Sequence, residues 1–587
     1  MSRKRPTRRA TRTRTAAAGA HPPLRLSLST QRSRLVDDAA GARFRRTGPA
    51  GGAAAGAQDR LPAKQGESRY ERTLALPASR GKILDRNGEV LASSLPARSV
   101  WAVPGKFAAD AQQRRSLARL LDMSQAEIQD KLATQRNFVY LARQVEPAVA
   151  VRVEALGIDG LHQDNEYKRH YPHGPALAHL IGYTSFSDVG QEGIELARNR
   201  ALAGQAGERR VIRDLSRRNI EDVGEVQPPV DGQDVHLSID SRIQYHVFNA
   251  LADAVRDFRA RSASAVVVDA RTGEILAMAN WPSFDPVRRE HFNGPNTRNR
   301  AIADRFEPGS TIKPFTAALA LERRRVGPRT VIDTSPGRIK IGSHWIHDAH
   351  RHGELTVEQV IQKSSNIGTV RMAQQLKPRE MWSFFDSLGF GHAPRTGLGG
   401  ATAGVLRDYK RWRPVEQATM SYGHGLSVSL LQLAGAYTVF ARGGERIPLT
   451  IWRRDEPVAG ERLFSGRTAS AMLRMLEMAA GPDGTAPKAQ VAGYRVAGKT
   501  GTAHKIENGR YVKKYVAAFA GVAPASNPRV VAAVMVDEPR GRSYYGGDVA
   551  APVFSRIVAE TMRVLHLPPD AELAEIRIPG NPVKESL

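Results

Sequence analysis

Glu307-Pro308-Gly309-Ser310-Thr311-Ile312-Lys313-Pro314-Phe315, continued by Thr316-Ala317-Ala318-Leu319-Ala320-Leu321, sets the architecture of this chain. Gly309 and the proline-marked turn before it read as a helix start, and Pro314 is tolerated within a first turn. The residues that follow are apolar on nearly every side, so the helix is expected to be buried all round. Ser310 then sits at its N-terminus, where unpaired backbone N–H groups favour developing negative charge. Lys313 lies three residues on, on the same face, within reach of the Ser310 hydroxyl. A desolvated lysine is able to take the proton that makes a serine nucleophilic. About two Ser-x-x-Lys arise by chance in a chain this long, and the bland alternative is a solvated helix start. The apolar run behind Lys313 argues against that alternative.

Working outward, 587 residues suffice for several domains, and 41% hydrophobic with 25% charged residues fits a globular class. Zero cysteines exclude disulfides, a thiolate nucleophile and cysteine-based zinc sites. The net charge of +27 is partly concentrated in Arg3, Lys4, Arg5, Arg8, Arg9, Arg12 and Arg14, ahead of the first acids, Asp37 and Asp38. Such a run reads first as a solvated tail, second as a cytoplasmic membrane flank, third as a nucleic-acid contact. No aromatic residue precedes Phe44, which removes the stacking element of a single-strand binder, and no nucleic-acid partner is expected. No stretch approaches 18 uninterrupted apolar residues, and no signal-peptide core follows the basic start.

Residues 1–64 read as a basic low-complexity tail or linker. Arg80 to Ala92 places two short apolar runs around Asn87-Gly88, a hairpin signal, with Asp85-Arg86 as a turn feature. It opens a mixed α/β pedestal over 65–230. Ser241 to Arg261 carries Ile243, Val247, Leu251, Val255 and Phe258 at helical spacing, within a domain taken as 231–567. Ala265 to Val268 and Ile275 to Ala279 predict a hairpin, helical stretches dominate from Ser310 to about Arg442, and strands return at Tyr515 to Val522 and Val530 to Val536. The fold class is therefore α+β: an antiparallel sheet covered by helices, with edges drawn from opposite ends of the domain. Residues 568–587 read as a tail.

Two further segments carry chemistry. Ser364-Ser365-Asn366 falls between helical stretches Thr356 to Gln362 and Ile367 to Leu376, and by itself reads as a helix cap. Lys499-Thr500-Gly501-Thr502 precedes the returning strands, and a Lys-Thr-Gly triplet arises only about 0.1 times by chance at this length. In order, Ser-x-x-Lys, Ser-x-Asn and Lys-Thr-Gly match a known motif set of penicillin-binding proteins and class A β-lactamases. From about Arg80 to about Thr561 the chain resembles a class B penicillin-binding protein, and Tyr544-Tyr545-Gly546-Gly547-Asp548-Val549-Ala550-Ala551-Pro552-Val553-Phe554 is similar to the end of its division branch.

The resemblance implies a peptidoglycan D,D-transpeptidase that crosslinks stem peptides at the septum through an acyl-enzyme and is acylated by β-lactams. It implies Ser310 as nucleophile, Lys313 as base, Ser364 as proton relay and Asn366 as the orienter of Lys313 and substrate amide. Lys499, Thr500 and Thr502 would hold the terminal carboxylate, and the bare Gly501 would let the strand approach the substrate backbone. Two lysines at one serine repel, which together with burial predicts a Lys313 neutral enough to act as a base. No cofactor or metal is expected; His344, His347, His350 and His352 match no standard zinc spacing. Tyr422-Gly423-His424-Gly425 reads equally as a lining of the cleft and as a tight turn. Implied partners are D-Ala-D-Ala stem peptides, β-lactams, a division-type glycosyltransferase and other division proteins.

The family's inner-membrane helix, with the catalytic domain in the periplasm, is expected between about Arg34 and Lys64. That interval contains Asp37, Asp38, Arg43, Arg45 and Arg46 and cannot cross a bilayer cheaply, since each central charge costs about 3 kcal/mol. The hypothesis is that a local reading-frame error replaced the helix, and resequencing the gene segment tests it. Two other functions share the motifs or the pedestal: a serine β-lactamase or β-lactam sensor, and a division scaffold.

Overall fold

The computed structural model describes residues 71–134, 136–213, 219–292, 294–454 and 456–572. The interval in which a membrane helix was expected, and the last residues of the chain, lie outside these. Among the described residues no helix is long and apolar enough to cross a membrane.

The C-terminal half is built on a five-stranded antiparallel sheet. Its strands are β1 (Ser262–Asp269), β2 (Ile275–Trp281), β3 (Ala497–Glu507), β4 (Arg510–Ala523) and β5 (Val530–Asp537), in the order β2-β1-β5-β4-β3. The N-terminal hairpin β1–β2 supplies one edge and the C-terminal β3 the other, as the sequence pattern predicts. The runs Ala265 to Val268 and Val530 to Val536 are apolar without interruption because both faces of the sheet are covered. Side chains alternate between those faces: Val266, Val268, Val531, Ala533 and Met535 join one core, and Ala265, Val267, Ala532, Val534 and Val536 the other.

Helices α1 (Ser241–Asp257) and α7 (Gly546–Val564) pack in the second core. The first holds α2 (Lys313–Glu322), α3 (Val357–Lys363), α4 (Asn366–Ala373), α5 (Leu430–Ala441) and α6 (Gly466–Ala480). Every residue of α2 from Lys313 to Ala320 is buried, as its all-round apolar character demands. Phe315 meets Tyr437 and Phe440 of α5 at ring separations of 5.3 and 5.1 Å, which fixes the helix from behind. Between Ser310 and Arg442 the helices are interrupted by two short strand pairs, Val331–Asp333 with Glu354–Thr356 and Arg338–Ile341 with His344–His347. These strands of three or four residues carry too little alternation to be read in advance.

In the pedestal, Ile83–Leu84 turns through Asn87-Gly88 into the long strand Val90–Ala102, as expected. Asp85 is fully buried in that turn. One carboxylate oxygen accepts from the Asn87 and Glu89 N–H groups and the other from the N–H and Oγ of Ser241 at the start of α1, so the hairpin fastens the pedestal to the C-terminal half. Beside it, Glu195 accepts from Arg80 Nε at 2.6 Å and Arg169 Nε at 2.7 Å, with no exposed side-chain surface on Arg80 or Glu195. At the other end Asp570 accepts from the N–H of Arg495 and the hydroxyl of Ser526, so the packed chain continues past Pro568.

His179 lies in the contact between the halves, its Nε2 2.7 Å from the Asn296 carbonyl. Burial first, and then the charge of Arg300, push its imidazole down to about 4. Its folded value lies below the unfolded value, so its contribution to stability is complete above about pH 6.5 and is lost as the pH falls toward 4. Asp188, pushed up to about 6 by burial, acts in the opposite sense. The difference between the parent and His179→Gln isolates the histidine. By denaturant unfolding, the parent's advantage is expected to shrink by on the order of 2 kcal/mol between pH 7 and pH 4.5; a constant difference would contradict the assignment.

Candidate active site

Ser310 lies in a 3₁₀ turn, Gly309–Ile312, that runs directly into α2, with Pro314 in the first helical turn where its missing N–H costs nothing. The sequence pattern predicts one helix from Ser310; the 3₁₀ turn is the difference, and it brings residues three apart onto one side. Ser310 is 4% exposed and Lys313 not at all. The Lys313 amine donates to the carbonyl of Ser364 and, at 3.1 Å, to its Oγ. Ser364 follows α3 with φ of 60°, a left-handed conformation uncommon for serine, which the surrounding packing maintains.

The helix-cap reading of this segment belongs one residue further on. Ser365 Oγ accepts from the Gly368 N–H at the start of α4 and donates to Asp348 at 2.6 Å. Asp348 also accepts from the N–H groups of Asn366 at 2.6 Å and Ile367 at 3.0 Å, which anchors the start of α4. The carboxamide nitrogen of Asn366 donates to the His347 carbonyl at 3.0 Å, while its buried Oδ1 has no partner among the described residues. An unmatched buried acceptor costs about 1–3 kcal/mol until a donor arrives.

Lys499 to Thr502 lie inside β3, the edge strand, with Lys499 fully buried. Its amine donates to Thr500 Oγ1 at 3.0 Å and to Thr485 Oγ1 at 3.4 Å, and the two threonine hydroxyls lie 2.9 Å apart. Thr502 Oγ1 accepts from the Gly546 N–H. A Cβ on Gly501 would lie 2.6 Å from the Pro308 carbonyl and 2.9 Å from a methyl of Thr311. The bareness of Gly501 therefore serves close approach to the Ser310 turn. A Cβ on Gly309 would likewise meet the Thr502 carbonyl at 3.1 Å. The structure thus brings all three segments together.

Tyr422 to Gly425 forms a turn packed against the one that carries Ser310. The Gly309 N–H donates to the Gly423 carbonyl at 3.2 Å. A Cβ on Gly423, where φ is +92°, would lie 2.0 Å from the Gly309 carbonyl, so glycine is required by space and by backbone. Glu307 closes the arrangement, accepting from the Gly425 N–H at 2.7 Å and from the Tyr511 hydroxyl at 3.0 Å. Burial holds the Glu307 carboxyl above its ordinary range. Burial above all pushes His424 down to about 4, so its imidazole is neutral at physiological pH. Asp348, Thr485 and Tyr511 escaped sequence reasoning. Glu307, three residues before Ser310, carried the one available signal.

The Penicillin binding protein transpeptidase domain model matches residues 263–559, and the Penicillin-binding Protein dimerisation domain model matches 75–237. A probable peptidoglycan D,D-transpeptidase PenA of Neisseria gonorrhoeae is 42% identical over 88% of this chain and 90% of its own length. The peptidoglycan D,D-transpeptidase FtsI of Escherichia coli K12 is 41% identical over 86% of this chain and 87% of that protein. Among solved structures, the apo transpeptidase domain of Burkholderia pseudomallei penicillin-binding protein 3 is 48% identical with a TM-score of 0.53, covering 57% of this chain and 98% of that one. Penicillin-binding protein 3 of Mycobacterium tuberculosis, complexed with aztreonam, is 29% identical with a TM-score of 0.65, covering 88% of this chain and 100% of that one.

Proposed function

This chain belongs to the penicillin-binding protein transpeptidase family, and we propose from that premise that it is a peptidoglycan D,D-transpeptidase, acylated by β-lactams, that crosslinks stem peptides at the division septum. One observation supports it above others: the amine of Lys313 meets Ser364, while β3 at Gly501 packs against the turn that carries Ser310. Ser310 Oγ attacks the carbonyl between the two terminal D-alanines. The C–N bond breaks, D-alanine leaves with the proton that Lys313 took from the hydroxyl, and an ester to Ser310 remains. Burial of Lys313 favours its neutral form, the form a base needs. Ser364, bonded to that amine, relays the proton to the leaving nitrogen. An acceptor amine then attacks the ester, restoring Ser310 and forming the crosslink.

Lys499, with Thr500 and Thr502, binds the terminal carboxylate. Asn366 Oδ1 is an available acceptor for a substrate amide N–H. The N–H groups of Ser310 and Thr502 form the oxyanion hole, at about 3 kcal/mol per donor. The pedestal over 65–230 and the catalytic domain over 231–567 follow the same reading. So do an inner-membrane location with the catalytic domain in the periplasm, and a division-type glycosyltransferase partner.

A hydrolytic β-lactamase needs a base to activate the deacylating water. Glu307 is the nearest carboxylate along the chain to Ser310, and the Gly425 N–H and the Tyr511 hydroxyl engage it, which favours the transpeptidase. The lifetime of a penicillin adduct tests this. Persistence for minutes to hours is expected; turnover within seconds would favour the hydrolase.

A further inference from the structure

Tyr437 is a fully buried residue of α5 that the reaction above does not use. Its hydroxyl donates at 2.9 Å to the carbonyl of Thr311, the residue after Ser310. The ring meets Phe315 and Phe440 edge-on at 5.3 and 5.5 Å, which fixes the direction of the hydroxyl. Burial holds the phenol well above its ordinary range, so it remains a donor at physiological pH.

This bond falls where the backbone cannot supply one. In the 3₁₀ turn Gly309–Ile312 a carbonyl pairs with the N–H three residues on: Pro308 accepts from Thr311, and Ser310 from Lys313. For the Thr311 carbonyl that partner is residue 314, a proline with no N–H. The helical ladder does not serve it either, because the N-cap of α2 is Ile312, whose carbonyl accepts the first helical bond. Thr311 has no exposed surface, so bulk water is out of reach.

Without the phenol, the remedy left to the chain is to relax the turn to the α form, in which the Phe315 N–H would reach the Thr311 carbonyl. Three residues make a full turn of a 3₁₀ helix but only about 300° of an α-helix. That relaxation swings Lys313 about 60° away from the side of the turn that carries Ser310. The nucleophile and its base would then no longer face one another.

We propose that Tyr437 is a positioning residue for acylation: its hydroxyl replaces the N–H that Pro314 lacks and so keeps Ser310 and Lys313 on one side of the turn. The inference rests on the transpeptidase reading above. Tyr437→Phe in the full chain tests it, since the ring stays and only the hydroxyl goes. Acylation of Ser310 is followed over a range of fluorescent-penicillin concentrations, which separates the dissociation constant of the first complex from the rate at saturation. The rate at saturation is expected to fall by about tenfold to a hundredfold, as small displacements of reacting groups do, with the dissociation constant within about twofold of the parent. Pro314→Ala returns an N–H to the position that lacks one. Added to Tyr437→Phe, it is expected to bring the rate to within about threefold of Pro314→Ala alone. A hydroxyl that only adds stability would lower the unfolding midpoint and leave both constants as they are. An unchanged rate at saturation, a loss confined to the dissociation constant, or a loss equally large beside Pro314→Ala overturns the proposal while leaving the enzyme reading intact. Absence of label on Ser310 in the parent would instead remove the enzyme reading itself.

Discussion

Lys313→Arg is expected to slow acylation of Ser310 by penicillin about 10²–10⁴-fold, the range over which a positioned general base contributes. The parent amine is fully buried and donates to both the carbonyl and the Oγ of Ser364. Arginine retains donors and positive charge, so it is able to hold Ser364. It stays protonated at any accessible pH and so cannot accept the proton of Ser310. A purely structural lysine would be partly replaced by arginine, whereas a base would not. The second-order rate of acylation decides between them, with thermal unfolding of the variant as a check on folding. An unchanged rate would transfer the base role to another group.

The second large effect is on stability. Glu195→Gln is expected to destabilise the pedestal by about 3–5 kcal/mol, because breaking a buried ion pair leaves its partner charges uncompensated. Here two guanidiniums, Arg80 and Arg169, share the one carboxylate at 2.6 and 2.7 Å. Arg80 keeps its bonds to the Asp188 carbonyl and Asn199 Oδ1, which offset only part of the loss. The expected readout is faster amide hydrogen exchange across Val90–Ala102, next to Arg169, with β3 of the catalytic half less affected. Equal protection in both proteins would mean that the pair contributes little.

The sequence made the buried helix legible because its apolar residues leave no polar face, and made the sheet legible because β1 and β5 carry the unbroken apolar runs Ala265 to Val268 and Val530 to Val536. The Asn87-Gly88 hairpin was read from its turn residues and the two short apolar runs that flank them. The three reactive segments were found from residue types and order, and their convergence follows from a topology that places β3 at the sheet edge beside the Ser310 turn. What escaped depends on contacts made only in the folded chain. Asp348 belongs to a stretch read as helical and acts through the far end of a two-strand hairpin. The Glu307, Gly425 and Tyr511 arrangement joins residues more than a hundred positions apart. The packing of Gly501 against the Ser310 turn was not legible either, because it joins segments nearly two hundred positions apart.

Labelling the full chain with a fluorescent penicillin and mapping the modified peptide tests the central claim most directly. The account predicts a single persistent adduct on Ser310 that Ser310→Ala abolishes. An adduct on any other residue, or labelling that survives Ser310→Ala, would contradict it.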